Sequence, residues 1–514
     1  MCRANRGPKP RATDCDRGKS PVTSRCCSAG VCHAGRHFAG RARGSPVICG
    51  RDALDLSAAI ARREMSAEEV MRATLCRVAE VNGAVNAIVS LREEGALLAE
   101  ARAADAGAPK GWLHGIPLAI KDLVNVAGLP TSKGSPLFAG EIAQTNDLIV
   151  ERMRAAGAIV IGKTNTPEFG LGSHTFNPVH GTTRNPYDLT KSAGGSSGGA
   201  AAALATGMVC LADGSDMMGS LRNPAAWNNV YGLRPTWGLV PDEPGGQAFT
   251  DDLSTDGPMA RSPADLAALL DTLAGPDPRV PFGRAHTAVL PQIDRLTGTP
   301  RLGWLGDWGG ALAFEAGISG FCAAALEDMS GLGWDIEDIA PPFSSDALWQ
   351  SWEQLRAHSH AMRRRADFDD PARRAHLKDA MLWEIARGRA LSAEAVWDAH
   401  MIRSDWYRCA MALFERFDVL VLPSAQLWPF DADLEYPAEI AGVTMDTYHR
   451  WMQVVVPASL IGLPAVAVPC GFGPQGLPMG VQLIGHPGSD AHLLQIAQRW
   501  HQATGWPQKR PAMV

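Results

Sequence analysis

Residues 191–240 read KSAGGSSGGAAAALATGMVCLADGSDMMGSLRNPAAWNNVYGLRPTWGLV, a glycine- and alanine-rich stretch that carries two glycine-flanked serine segments. Its first part, Gly194-Gly-Ser-Ser-Gly-Gly199, has the composition of a flexible linker. It runs directly into the alanine-rich segment Ala200–Ala205, which a linker does not predict, so a helix is expected to start at these glycines. Glycines at a helix start expose backbone N–H groups and the positive end of the helix dipole, which suits an anion. The phosphate-loop pattern fails, because no Gly-Lys-Ser/Thr follows at the required spacing. The same residues match G-x-S-x-G around Ser196, but the nucleophile elbow needs an apolar strand before it. Here the preceding residues are the turn-like Asn185-Pro-Tyr-Asp-Leu-Thr-Lys191. The second part, Gly214-Ser-Asp-Met-Met-Gly-Ser220-Leu-Arg-Asn-Pro224, follows a short apolar run at Met208–Ala212 and offers a second glycine-flanked serine, 24 residues after Ser196.

Upstream, Gly115-Ile-Pro-Leu-Ala-Ile120 is a short apolar run read as a buried strand ending at Lys121. Leu148–Ala156 reads as a helix, and Ala158-Ile-Val-Ile161 as a second buried strand closing at Gly162. Strand–helix–strand order implies an α/β sheet with helices on its faces. Ser66 and Glu69 form an S-x-x-E capping box for a helix over 66–80, followed by a turn and a strand in Asn82–Leu91 and a helix over Leu97–Ala106. Strands are expected at Asp418–Leu422, Ala465–Pro469 and Val481–Ile484, and an amphipathic helix at Ser489–His501 with Leu493, Leu494 and Ala497 inward. Residues 315–416 read as a charged helical insert. Its tryptophans (Trp334, Trp349, Trp352, Trp383, Trp397, Trp406) are each expected in the core, and the insert as a whole could cap a substrate pocket.

The chain has 514 residues, 46% of them hydrophobic and 20% charged, which suits a protein that buries a large core. The net charge of −6 gives no electrostatic argument for nucleic acid. Residues 1–50 alone carry +8 and six of the eleven cysteines, without hydrophobic periodicity or the apolar core of a secretory signal. They read as a disordered basic tail, or as residues added by a misplaced start codon. A zinc site on Cys26, Cys27, Cys32 and His33 lacks paired C-x-x-C spacing. The other five cysteines, Cys76, Cys210, Cys322, Cys409 and Cys470, are scattered and odd in number, which fits a reducing cytoplasm. No apolar run reaches 18 residues, so no transmembrane helix is expected.

The ordered motifs Gly115–Asp122, Gly162-Lys-Thr-Asn-Thr-Pro-Glu-Phe169, Gly194–Gly199, Gly214–Pro224, Tyr231-Gly-Leu-Arg-Pro-Thr236, Gly462-Leu-Pro-Ala465 and Gly476-Leu-Pro-Met-Gly-Val-Gln482 resemble those of the amidase-signature family over about 51–505. That resemblance implies a single large α/β domain, residues 51–514, with a central mixed twisted sheet covered by helices on both faces. It implies Lys121 as base, Ser196 as proton bridge after a cis peptide at Gly195–Ser196, and Ser220 as nucleophile. Backbone N–H groups of Met217, Met218, Gly219 and Ser220 are then expected to bind the oxyanion, a contribution of roughly 3–4 kcal/mol per donor. Ser197 is expected to support the network by hydrogen bonding, and Asp216 and Arg222 to pair and hold the nucleophile loop. A serine hydroxyl needs a neighbouring base. A lysine serves as one only when neutral, which burial promotes. A Ser–His pairing through His174 or His180 is the competing arrangement, and nothing in the spacing requires it.

The activity implied is hydrolysis of a carboxamide to carboxylate plus ammonia or amine, through an acyl-serine, with no metal or organic cofactor. The expected partner is a small-molecule amide, with neither nucleic acid nor membrane, and a homodimer is compatible. The alternative is the glutaminase (A) subunit of a glutamyl-tRNA amidotransferase complex; a non-catalytic binding module is weaker, since all three triad positions are intact. The sequence departs from the family at Met218, where glycine is usual, and at Ser459, where many relatives carry asparagine. If the backbone at Met218 needs positive φ, the side chain costs roughly 1 kcal/mol or more, and Met217–Met218 is expected to narrow the acyl pocket. For the tail, intact-mass measurement of natively expressed protein is expected to show a chain starting near residue 50; a mass including Met1 contradicts the misplaced start.

Overall fold

The computed structural model describes residues 45–242, 248–250 and 252–513. Expectations for residues 1–44, the zinc site among them, lie outside the described residues. Eleven strands form one sheet: β1 (Ile88–Val89), β2 (Pro117–Lys121), β3 (Ile159–Thr164), β4 (Leu211–Asp216), β5 (Tyr231–Arg234), β6 (Thr255–Ala260), β7 (Arg301–Trp304), β8 (Asp335–Asp338), β9 (Val419–Pro423), β10 (Ala465–Phe472) and β11 (Pro478–Ile484). Their spatial order is β1-β3-β2-β4-β6-β5-β10-β11-β9-β7-β8. The sheet is mixed: β3, β2 and β4 run parallel to one another, as do β9, β7 and β8, and the pairs between these groups are antiparallel.

Successive side chains of a strand point to opposite faces, so a sheet covered on both sides needs two apolar layers. The central strands show this. Leu118, Ile120, Val160 and Leu211 enter one buried cluster, while Ala119, Ile159, Ile161 and Ala212 enter a second. The helices Ala67–Val85 and Gly198–Ala205 supply the second cluster, and Pro263–Leu273 and Asp490–Thr504 the first. The fold is therefore an α/β domain with helices on both faces of a mixed sheet.

The local signals behave as their chemistry dictates, with shifted ends. Ser66 and Glu69 make the reciprocal capping box, but the helix continues to Val85, past the expected turn at Asn82. Asn82 stops it from within: its side chain accepts from the Ala87 and Ile88 N–H groups and donates to the Ile88 carbonyl. The helix expected from Leu97 starts at Glu94, because Glu93 caps it by accepting from Gly95 and Ala96.

Two boundaries need correction. Ser45–Gly50, which the sequence pattern places in the tail, form a helix, and the Cys49 thiol donates to the Ala73 carbonyl at 3.5 Å. The tail as read therefore extends five or six residues too far. The insert read as 315–416 contains β8, which pairs in parallel with β7 and belongs to the sheet. Its helical portion beyond the sheet edge begins at Ser345. Of its tryptophans, Trp334, Trp349, Trp352 and Trp406 are buried, whereas Trp397 is 67% exposed.

Strand β6 is not expected from the sequence, since Thr255-Asp-Gly-Pro-Met-Ala260 has no strand-like pattern. It sits between β4 and β5 with every residue buried. Gly257 is its tightest point: a Cβ there would lie 2.2 Å from the Leu233 carbonyl oxygen and 2.8 Å from Pro235 Cδ. Gly257→Ala is expected to destabilise the protein by about 1–3 kcal/mol through overpacking, read as a lowered midpoint in chemical denaturation; an unchanged midpoint contradicts the packing described.

Candidate active site

Strand β2 ends on Lys121, whose side chain is fully buried. The Lys121 N–H is tied to the Asp213 carboxylate of β4 at 3.0 Å, which fixes the strand end. Its Nζ reaches three hydroxyls: Ser196 Oγ at 2.7 Å, Ser197 Oγ at 2.9 Å and Ser215 Oγ at 3.0 Å. Burial pulls the Lys121 ammonium down to about 8, against the opposing pull of Asp213, Asp256 and Asp216. Burial likewise raises the Asp213 carboxyl to about 6. Ser196 and Ser197 come from the glycine-rich segment, and the Gly195–Ser196 peptide is cis. Ser197 leads into the helix Gly198–Ala205, and its N–H donates to the Ser220 carbonyl at 3.3 Å. The two serine segments, 24 residues apart in sequence, therefore meet directly.

Ser220 sits in the turn between β4 and the helix Arg222–Trp227, and is 6% exposed. Asp216 holds this turn. Its carboxylate accepts from the Gly219 N–H at 2.8 Å, the Leu221 N–H at 3.2 Å, and two donors of Arg222 at 3.0 Å each. Arg234, which lies in the Tyr231–Thr236 motif but is given no role by the sequence reading, adds a further contact at 3.2 Å. Burial alone would raise the Asp216 carboxyl; Arg222 and Arg234 outweigh it and hold it well below the usual carboxylate range. The expected Asp216–Arg222 pair is thus present, and larger than expected.

One expectation for the oxyanion donors changes here. Gly219 is expected to donate alongside Met217, Met218 and Ser220, but its N–H is committed to Asp216. Gly219 is needed for shape: φ is 78° and a Cβ would lie 2.1 Å from Asn223 Oδ1. Positive φ in this turn thus falls on Gly219 and not on Met218, so strain at Met218 does not arise. The two methionines also differ. Met218 is buried in the core, while Met217 is half-buried and faces Arg356 of the helix Ser345–Arg363, its sulfur 3.6 Å from Nη1.

The other departure, Ser459, is absorbed into the same network. Ser459 Oγ accepts from Arg222 Nη2 at 2.6 Å, while Arg222 Nη1 donates to Gln482 Oε1 at 2.5 Å. Neither candidate histidine partners the serines of the site. His174 bonds Ser192 Oγ at 2.7 Å and the Ala432 carbonyl at 3.1 Å, and burial lowers it to about 4. His180 bonds Ser132 Oγ at 3.1 Å, beside Asp122. Among the described residues no group of three or more His, Cys, Asp or Glu side chains could hold a metal, and no helix is long and apolar enough to cross a membrane.

The Amidase family profile matches residues 69–494. The chain belongs to the amidase-signature family. An acylamidase of Rhodococcus erythropolis is 33% identical over 470 residues, covering 90% of this chain and 97% of that one. A glutamyl-tRNA(Gln) amidotransferase subunit of Chloroflexus aurantiacus is 34% identical over 490 residues, covering 89% and 97%. Among solved structures, a bacterial aryl acylamidase of this family superposes with a TM-score of 0.83 at 26% identity, over 90% of this chain and 99% of that one. The 6-aminohexanoate cyclic dimer hydrolase follows at 0.80, also 26% identical, over 90% and 99%. A Ser-Ser-Lys triad is a feature of this family; in this chain Lys121 Nζ is hydrogen-bonded to Ser196 Oγ, and the Ser197 N–H reaches the Ser220 carbonyl.

Ser459→Ala leaves the fully buried Arg222 guanidinium without one acceptor. It is expected to cost about 1–3 kcal/mol in denaturation, with Ser459→Asn recovering part of the loss. Equal stability of Ser459→Ala and wild type contradicts the role given to this side chain.

Proposed function

We propose that this family member is an amidase that hydrolyses a non-peptide carboxamide, linear or cyclic, through an acyl-serine on Ser220. The observation that carries this reading is the buried Lys121 Nζ held 2.7 Å from Ser196 Oγ. A neutral amine there accepts the Ser196 proton while Ser196 takes the proton of Ser220, and the Ser220 oxygen attacks the amide carbon. Backbone N–H groups of Met217, Met218 and Ser220 receive the oxyanion in the water-poor turn. The lysine proton returns through Ser196 to the leaving nitrogen, and the amine departs. Water, deprotonated by the same relay, then attacks the acyl-serine and releases the carboxylate.

The acylamidase relatives support a self-contained enzyme, and the contact of Arg356 with Met217 supports the helices from Ser345 onward as a cover for the acyl group. The amidotransferase relatives support a second reading, a glutaminase subunit that works with partner chains. Purification separates the two. A chain that hydrolyses simple amides alone supports the first, and activity that requires added partner chains supports the second.

Two measurements test the mechanism. In an amide-library screen, Ser220→Ala and Lys121→Ala are each expected to lose activity roughly 10⁴-fold or more with their fold retained by circular dichroism; activity surviving in Ser220→Ala overturns the assignment. The pH dependence follows from Lys121. Below about 8 its amine is protonated and cannot accept a proton, so kcat/KM should rise with pH and level off above about 8. A rising limb centred near the ordinary lysine value of 10.5 contradicts a buried, neutral base.

A further inference from the structure

The methionine pair of the nucleophile turn and the tryptophans of the insert suggest an apolar acyl pocket. The structure places an ionic cluster behind Met217 instead. Arg356 and Glu384 are 3% and 0% exposed and are joined through Arg356 Nε and Glu384 Oε1 at 2.7 Å. Arg356 Nη2 donates to Tyr448 Oη at 2.7 Å, and Tyr448 Oη donates to the same Glu384 Oε1 at 2.7 Å. The remaining Arg356 terminal nitrogen, Nη1, reaches Met217 Sδ at 3.6 Å.

Two atoms of this cluster are poorly served. A thioether is a weak acceptor, so the Nη1 donor facing Met217 keeps most of its hydrogen-bonding capacity. Glu384 Oε2 is buried without a hydrogen-bond partner among the described residues. A buried carboxylate oxygen without a donor is costly, and native interiors rarely leave one so. The cluster also borders the site on a second side. Tyr448 lines a narrow cavity with Leu171, Gly172 and Ser173. That loop follows Gly170, where a Cβ would lie 3.5 Å from Ser196 Oγ, and Ser173 Oγ donates to the carbonyl of Gly195.

The charges of Arg356 and Glu384 cancel, so the pair offers no net attraction to a carboxylate or an ammonium. Beyond its internal bonds it offers a donor at Nη1 and an acceptor at Oε2, on directly bonded side chains. The ligand chemistry that matches is a neutral group presenting an acceptor beside a donor, which is the pattern of an amide. We propose that Arg356 and Glu384 determine specificity by receiving a second, uncleaved amide-like group at the end of the acyl chain remote from the scissile bond. Its carbonyl accepts from Arg356 Nη1 above Met217, and its N–H donates to Glu384 Oε2. This assignment rests on the amidase reading with Ser220 as nucleophile.

The test uses anilides whose acyl chains are of equal length and end in carboxamide, carboxylate, ammonium or an isosteric branched alkyl group. Wild type should favour the carboxamide end by at least about tenfold in kcat/KM over each of the others, because a site built to hydrogen-bond a group rejects analogues lacking it. Glu384→Gln leaves Arg356 unneutralised, so the ratio of carboxylate to carboxamide turnover should rise at least about tenfold. Should that variant not fold, the thermal stabilisation of Ser220→Ala by the four intact anilides gives the same ranking. Equal turnover of all four ends, or preference for the alkyl end, overturns the proposal. A Glu384→Gln enzyme of lower melting temperature and unchanged end-group ratio reduces the cluster to a structural ion pair and overturns it too. Failure to cleave any anilide, with no acyl adduct on Ser220, instead counts against the amidase reading.

Discussion

The rest of this structure depends on a lysine amine kept out of water. Lys121 lies at the end of a strand whose five residues are all buried, and its Nζ has only hydroxyl oxygens as hydrogen-bond partners among the described residues. The Asp213 carboxylate is tied instead to the Lys121 backbone N–H. Desolvation therefore dominates and favours the neutral form. A second buried lysine on the neighbouring strand shows the contrast. Lys163 Nζ donates to the carbonyl of Val124 and lies 3.8 Å from Asp122, so it braces the turn that follows Lys121. Two lysines on paired strands thus have different roles because one faces hydroxyls and the other faces carbonyls and a carboxylate.

The nucleophile turn is built on the opposite principle. Its ions are fully paired. Asp216 receives Arg222 and Arg234, and Arg222 extends the network to Gln482 and Ser459 on remote segments. Removing one member of such a network leaves an uncompensated buried charge, which costs far more than the pair contributes. These bonds hold the turn on both sides of Ser220, through the Gly219 and Leu221 N–H groups. A glycine at 219 completes the shape, since no side chain fits between Asn223 and Val455. Glycine is not required at 218, since positive φ in the turn falls on Gly219, which explains how a methionine is accommodated there.

Much of this is legible in the sequence because the signals are local. The capping box at Ser66, the apolar runs of β2 and β3, and the glycine-rich start of the helix at Gly198 each specify their element through neighbouring residues. Lys121, Ser196, Ser197, Asp216 and Arg222 stand out through ordered motifs, and they converge in space. What escapes is set by tertiary contacts. Strand β6 contains aspartate, glycine and proline, and it is a strand because β4 and β5 flank it. Ser215 is given no role by the motif that contains it, and the parallel pairing of β2 with β4 brings it to Lys121. The tie from Asp216 to the Gly219 N–H, and the Arg356–Glu384–Tyr448 cluster, join positions no periodicity connects.

Direct titration of the Lys121 amine shows whether it is the neutral base near pH 8 that the proposed mechanism requires. Selective ¹³C labelling of lysine, with Lys121→Arg used to assign the resonance, would follow that side chain through the pH range by NMR. A titration midpoint near 8, lowered by burial, is expected. A midpoint at the ordinary lysine value of 10.5 would mean that the ammonium persists beside Ser196, and the mechanism would fail.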